Sequence, residues 1–155
     1  MGRTRVDEMA RLSGSVDLGV TPSQVWEASL DSSRWPDWID GTLSVSGAMD
    51  PLGPGSTYQE LTRVIGPWRA RVSWEVTDWV DGQLHEHTGF GVPFLEKFVA
   101  RFEVGGIADR GRLTVTFGYV PRGLVGRLAT AIVLRRRLER SLARTLQSAG
   151  TGKLI

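Results

Sequence analysis

Residues 124–146, LVGRLATAIVLRRRLERSLARTL, form the longest segment of helical periodicity in this chain. Apolar residues recur at 124, 128, 131, 132, 138, 142 and 146, which is the spacing of one helix face. Most of the arginines lie off that face. The segment predicts a helix of about six turns, and such a helix must bury its apolar face against another layer of the fold.

The segments before this helix predict the layer that it covers. Between positions 68 and 79, polar residues alternate with Trp68, Ala70, Val72, Trp74 and Val76. This period of two is typical of a half-buried strand. Shorter segments predict further strands at 12–20, 43–48, 56–65, 83–90, 96–104 and 113–119. Tight turns such as Gly66-Pro67 and Asp81-Gly82 make neighbouring strands antiparallel.

Two short helices are predicted after the first strand. Thr21-Pro22 supplies an N-cap followed by proline at the first helical position, and Val25, Trp26 and Leu30 then form a buried side. Residues 34–38, RWPDW, predict a second short helical turn. The fold is therefore α+β of the helix-grip type: a curved antiparallel sheet of about seven strands around a long C-terminal helix. A cavity is expected between the sheet and the helix.

The composition indicates one globular domain spanning residues 1–155, with a core at about 10–148. The chain is 41% hydrophobic and 23% charged, and it is long enough to bury a core without crosslinks. The absence of cysteine excludes disulfides and thiolate catalysis. No apolar run reaches membrane-spanning length and the first residues are charged, so we expect a cytoplasmic protein without membrane insertion.

The arginines of the C-terminal helix, at 135, 136, 137, 140 and 144, form a basic cluster. Such a cluster could contact nucleic acid or an anionic membrane surface. The sequence lacks the recognition helix, interleaved surface aromatics and glycine-rich phosphate loop of nucleic-acid and nucleotide readers. We interpret the cluster as a solvated helix face and expect no nucleic-acid partner.

Several short motifs occur in the order of the predicted elements: VWEASLD at 25–31, WPDW at 35–38, PG at 54–55, SWEVT at 73–77 and GRLTVT at 111–116. Together they resemble the START-like polyketide cyclase/dehydrase and lipid-transport superfamily, SRPBCC, over about residues 10–148. The resemblance implies a helix-grip fold, a small hydrophobic ligand and a role in bacterial secondary metabolism. Members include aromatase/cyclases, dehydratases and lipid carriers, so the fold does not by itself imply an activity.

Three residues are candidates for acid–base catalysis. If Tyr58, Glu60 and Thr62 share the apolar face of their strand, and Leu84, Glu86 and Thr88 share that of theirs, both carboxylates enter the cavity. A buried carboxylate has a raised pKa and can transfer protons during enolisation or dehydration. The alternative is that Glu60 and Glu86 face solvent or pair with arginines. The candidate catalytic residues are Glu60, Glu86 and Tyr58.

His85 and His87 form a His-x-His pair on the same strand. This spacing can chelate zinc or iron, although a carboxylate would have to supply the third ligand. Because Leu84 and Phe90 alternate with the histidines, we expect both imidazoles on the outer, solvated face. A register shift of one residue is the alternative, and His85 could then act in the cavity. We therefore expect no metal and no cofactor.

Aromatic and aliphatic residues are expected to line the cavity. The resemblance places Trp35 and Trp38 near the cavity mouth. The sheet face and the helix face predict further wall residues, and core packing is the alternative role for most of the aromatics. The candidate ligand-binding residues are Trp35, Trp38, Trp74, Thr88, Phe90, Phe102, Phe117, Tyr119, Leu128 and Ile132, with Val76 and Val115 also expected in the wall.

Two functions remain open from the sequence, with a third alternative. The protein either catalyses cyclisation or dehydration of a polyketide-like substrate without a cofactor, or carries a lipid, isoprenoid or aromatic molecule without chemistry. Facing ionisable groups in the cavity would favour the enzyme, and a uniformly apolar lining the carrier. The third is a protein-interaction module in which the basic helix docks an acidic partner. A homodimer is also left open.

Overall fold

A computed structural model describes residues 9–48 and 52–155. Seven antiparallel strands form one curved sheet in the order β1-β7-β6-β5-β4-β3-β2. The predicted helix-grip architecture is confirmed. The strands are β1 Ala10–Leu18, β2 Thr42–Ser46, β3 Thr57–Arg63, β4 Arg69–Val80, β5 Leu84–Phe90, β6 Leu95–Ile107 and β7 Arg110–Pro121.

Two short helices follow β1, as the sequence predicts. Helix α1, Pro22–Leu30, begins with a capping box in which Thr21 Oγ1 accepts from the backbone N–H of Gln24 and the Gln24 side chain accepts from that of Thr21. A 3₁₀ turn at Ser32–Arg34 leads into α2, Trp35–Trp38. These helices lie beside the sheet, and their residues Ser29 and Trp35 are buried in the interior of the protein.

The C-terminal helix occupies residues 123–153 and is not uniformly α-helical. It comprises α3 (Gly123–Ala129), a π-helical segment (Thr130–Leu134), α4 (Arg135–Ser148) and a second π-helical segment (Ala149–Lys153). In the part of the chain that the structure describes, no helix is both long enough and apolar enough to cross a membrane.

The apolar face of this helix differs from the prediction in its first half. Leu128 and Ile132, expected against the sheet, are 58% and 67% exposed, whereas Leu134 and Leu142 are buried. A π-helical turn holds more residues than an α-helical turn, so the segment at 130–134 rotates the buried face between the two halves. In α3 the buried residue is Gly126, where a Cβ atom would lie 2.6 Å from the carbonyl oxygen of Phe94. Close backbone contact thus replaces leucine packing there.

Candidate functional site

A cavity lies between the concave face of the sheet and the C-terminal helix, with a volume of about 110 Å³. Most of its wall is aromatic or aliphatic. Six of the predicted site residues line it: Trp35, Tyr58, Glu60, Trp74, Phe102 and Phe117. Their roles toward a ligand remain predictions.

Glu60 is the carboxylate that the sheet contributes to the cavity wall. Its Oε2 accepts a hydrogen bond from Thr42 Oγ1, and its Oε1 accepts one of 3.4 Å from Trp74 Nε1. Burial raises the pKa of Glu60, and these two hydrogen bonds oppose that rise because they stabilise the carboxylate. The group therefore has donors for its ionised form and an environment that favours its neutral form.

Tyr58 lies two residues before Glu60 on β3 and shares its face. Its hydroxyl oxygen is 2.7 Å from His87 Nδ1. Burial first, and the charge of Glu60 second, raise the pKa of Tyr58 well above its ordinary value. The side chain is therefore a neutral phenol at physiological pH.

The expected faces of β5 are wrong. His85 and His87 are fully buried and point inward, opposite the inward-facing Phe102 and Ala100 of β6. Glu86 lies on the other face, where Arg101 Nη1 is 3.2 Å from its Oε2. Glu86 thus faces outward and pairs with an arginine, which is the alternative that the sequence left open for this carboxylate. It does not enter the cavity.

Thr88 and Phe90 share the outward face of Glu86 by the two-residue period of the strand. Thr88 bonds the hydroxyl of Thr77 at 2.9 Å, and Phe90 is 53% exposed. Neither lines the cavity. The prediction failed because Leu84 and Phe90, the apolar ends of β5, do not mark its buried face. Its actual inward residues are two histidines and Gly89.

Other predicted wall residues are buried without reaching the cavity. Trp38 packs against Phe102 with ring centroids 6.1 Å apart, and Tyr119 belongs to a separate apolar cluster with Leu95 and Leu134. Val76 and Val115 are buried core residues.

Leu128 and Ile132 point away from the cavity because the π-helical segment rotates their part of the helix. The wall contains instead Phe98, Ala100 and Leu134, which the sequence did not indicate, and Leu138 from the predicted apolar face of the helix.

The two histidines bond each other rather than forming part of a larger ligand set. His85 Nδ1 and His87 Nε2 are 2.7 Å apart, and burial lowers the pKa of His87 to about 4. Burial and the neighbouring His87 lower the pKa of His85 well below its ordinary value. Among residues 9–48 and 52–155, no three His, Asp or Glu side chains converge as a metal site would require. Metal independence stays a prediction.

The side of the cavity toward α4 carries charge. Arg137 Nη1 lies 3.4 Å from Asp40 Oδ2, and Arg137 Nε donates a 3.1 Å hydrogen bond to the carbonyl oxygen of Val64. Both charged side chains line the cavity and are 22% exposed. One arginine of the predicted basic face is therefore an element of the cavity wall.

The sequence profile described as "Polyketide cyclase / dehydrase and lipid transport" matches residues 9–149. The chain belongs to this family. The resemblance found in the short motifs is thereby confirmed. No curated protein matches the chain in sequence.

Solved structures share the fold of this family member at low sequence identity. The Zhui aromatase/cyclase from Streptomyces sp. R1128 superposes with a TM-score of 0.73 at 17% identity, covering 95% of this chain and 92% of that one. TTHA0849 from Thermus thermophilus superposes with a TM-score of 0.74 at 12% identity, covering 94% of this chain and 97% of that one. Ara h 8.0201 superposes with a TM-score of 0.70 at 12% identity, covering 94% of this chain and 98% of that one. At these identities the likeness concerns the fold alone.

Proposed function

We propose that this protein binds a small, largely apolar molecule in the cavity between its sheet and C-terminal helix. The observation that carries the proposal is the cavity wall, in which aromatic and aliphatic side chains outnumber polar ones such as Tyr58 and Glu60. Apolar walls with few polar groups are typical of small-molecule sites. Membership of a family of cyclases and lipid-transport proteins supports the same class of ligand.

Ala100 offers a direct test of binding in this cavity. Its side chain is in the wall, whereas Ala143 on α4 is exposed. Ala100→Leu should fill part of the cavity and weaken binding of naphthalene at least about tenfold, while Ala143→Leu leaves binding unchanged. Quenching of tryptophan fluorescence measures occupancy, because Trp35 and Trp74 line the site. Equal affinity in both variants would place the ligand elsewhere.

We further propose that Glu60 transfers protons in a cofactor-free cyclisation or dehydration. As a carboxylate, Glu60 would take a proton from the carbon next to a substrate carbonyl and leave an enolate. In cyclisation the enolate carbon would attack a second carbonyl of the substrate, and Glu60 would return the proton to the alkoxide that forms. In dehydration it would return the proton to the departing hydroxyl, which leaves as water. A carboxylate in an apolar site has a pKa nearer neutrality, which suits it to both directions of transfer.

Deuterium exchange into 2-tetralone tests this chemistry without knowledge of the natural substrate. Its α-protons exchange with D₂O on enolisation, and ¹H NMR follows their loss. We expect the wild type to accelerate exchange and Glu60→Gln to lower that rate by about 10²- to 10⁴-fold. Glu86→Gln, on the outer face, is the matched control and should keep the wild-type rate. Binding of 2-tetralone without any acceleration would favour the non-catalytic carrier.

A further inference from the structure

A continuous chain of buried hydrogen bonds runs from helix α1 to the cavity. Ser29 Oγ is 2.9 Å from His85 Nε2, His85 Nδ1 is 2.7 Å from His87 Nε2, and His87 Nδ1 is 2.7 Å from Tyr58 Oη. Three elements, α1, β5 and β3, contribute to it. All four residues are at least nine-tenths buried, and Tyr58 alone among them lines the cavity.

The direction of this chain follows from its first member. Ser29 Oγ donates a 2.7 Å hydrogen bond to the carbonyl oxygen of Trp26, and a carbonyl can only accept. The single hydroxyl proton of Ser29 is therefore engaged there. Toward His85 the serine oxygen must accept, so the proton of the neutral His85 ring resides on Nε2.

Each later proton is fixed in turn. A neutral imidazole carries one proton, so His85 Nδ1 is an acceptor and must receive the Nε2–H of His87. His87 Nδ1 is then also an acceptor, and Tyr58 must donate its hydroxyl proton to it. Both rings are neutral because burial among aromatic side chains disfavours the imidazolium form.

An aromatic enclosure keeps water from the middle of the chain. Phe102 stacks on the His85 ring at a centroid distance of 4.9 Å, and Trp26 meets that ring edge-on at 5.4 Å. Trp35 packs edge-on against His87 at 5.7 Å. Without water to exchange partners, the direction set at Ser29 is transmitted to Tyr58.

We propose that Ser29, His85 and His87 act as positioning residues that make Tyr58 a hydrogen-bond acceptor toward the cavity, so that the site selects ligands bearing a hydroxyl donor. The phenolic proton is then donated to His87, so that only the lone pairs of the hydroxyl oxygen remain for a hydrogen bond with a ligand. Glu60 in its carboxylate form adds a second acceptor at the same end. A phenol, or the enol form of a ketone substrate, fits this end, whereas an ether has no donor to offer. The ligand preference rests on the proposed binding function, but the direction of the chain does not.

The first test concerns the ligand-free protein. The sequence contains only two histidines, so long-range ¹H–¹⁵N correlation spectra of the two rings are readily interpreted. We expect both rings as the Nε2–H tautomer at pH 7. An Nδ1–H tautomer at His87 would place a donor against Tyr58 and overturn the proposal.

The second test compares 2-naphthol, which has a donor, with its methyl ether, 2-methoxynaphthalene. The preference is the ratio of the affinity for 2-naphthol to that for 2-methoxynaphthalene. This ratio should be about threefold to tenfold larger in the wild type than in Tyr58→Phe, which is the effect of one net hydrogen bond. Tyr58→Phe corrects for the larger size of the ether. It should lower the preference by weakening the binding of 2-naphthol, while Glu60 remains as an acceptor.

Ser29→Ala gives a result that a merely structural role would not produce. Loss of the hydroxyl removes the constraint on direction, so the chain can reverse and Tyr58 can donate to the ether oxygen. The preference should fall because 2-methoxynaphthalene binds more tightly, with the affinity for 2-naphthol unchanged. Ser13→Ala, which removes an outer-face hydroxyl bonded to Thr116, is the matched control and keeps the wild-type preference.

The outcomes separate the two proposals. Equal preference in the wild type and Tyr58→Phe, with both ligands bound in the cavity, overturns the acceptor assignment and leaves the binding function intact. Failure of the wild type to bind either naphthalene overturns the binding function and the ligand preference together. The tautomer spectrum still decides the direction of the chain in that case.

Discussion

Trp74 Nε1 donates a hydrogen bond of 3.4 Å to Glu60 Oε1 across the β3–β4 strand pair, while Thr42 donates to the other oxygen. The carboxylate thus keeps two donors in a wall that is otherwise largely apolar. Burial outweighs those donors and raises the pKa of Glu60. The position of this carboxylate therefore links the stability of the fold to pH and to occupancy of the cavity.

The stability of the wild type relative to Glu60→Gln should increase as pH falls. A carboxyl with a raised folded-state pKa binds protons more tightly when folded than when unfolded. Its ionisation therefore costs stability at high pH, and that cost is relieved as pH falls through the folded-state pKa. Urea unfolding of both proteins between pH 8 and pH 4 measures the difference, with Glu86→Gln as the control. A pH-independent difference would contradict the raised pKa.

The buried histidines should make the protein acid-labile. In the unfolded chain each imidazole titrates near pH 6.5, whereas the folded protein holds His87 neutral to about pH 4 and His85 neutral as well. Between these values the unfolded state binds more protons. The free energy of unfolding should fall by up to about 1.4 kcal/mol per pH unit for each histidine.

Urea unfolding in the Glu60→Gln background isolates this effect, because Glu60 contributes with the opposite sign. The expected loss begins near pH 6.5 and continues toward pH 4. Constant stability across this range would mean that the rings are protonated or solvated in the folded protein.

Leucines on the two halves of the C-terminal helix should differ sharply in their contribution to stability. Leu142 is 7% exposed and Leu128 is 58% exposed. We expect Leu142→Ala to cost about 2–5 kcal/mol, the usual penalty for a buried leucine. Leu128→Ala should stay within about 0.5 kcal/mol. A large cost for Leu128→Ala would restore the continuous apolar face that the sequence suggested.

The strands and helices were predictable because their local patterns are strong. Along β4, Val72, Trp74 and Val76 point inward as their period of two indicates. Trp68 was wrongly included in that face, since β4 begins at Arg69 and the Trp68 side chain is 46% exposed. The capping box at Thr21 and Gln24 lies where Thr21-Pro22 predicted the start of a helix.

The faces of β5 and of the C-terminal helix were not predictable from local pattern. His85 and His87 are buried because Ser29 and Tyr58, distant in sequence, supply their hydrogen bonds. Without such partners, burial of an imidazole is costly, and the sequence alone favours its exposure. The π-helical segment at 130–134 likewise has no sequence signature. The faces that β5 and the C-terminal helix turn toward the cavity therefore depend on tertiary contacts that a single strand or helix does not reveal.

Gly89→Ala should damage the cavity wall from the side of the sheet. The Trp74 indole lies flat over Gly89 of the neighbouring strand, and an added Cβ would sit 2.9 Å from its Cε3 and Cζ3 atoms. The ring must then move toward the cavity, which takes space from the ligand and pulls Nε1 away from Glu60. We expect a loss of about 1–3 kcal/mol in the free energy of unfolding from overpacking, together with weaker binding of naphthalene.

Gly105→Ala is the matched control for this substitution. Gly105 is also a strand glycine, on β6, and an added Cβ there meets no atom within 4 Å. The free energy of unfolding of the Gly105→Ala variant should be unchanged or raised by up to about 1 kcal/mol, because alanine restricts the unfolded chain. Urea unfolding and titration with naphthalene, both followed by tryptophan fluorescence, compare the two variants with the wild type. If Gly89→Ala matches Gly105→Ala in both measurements, Trp74 does not form the wall at this position.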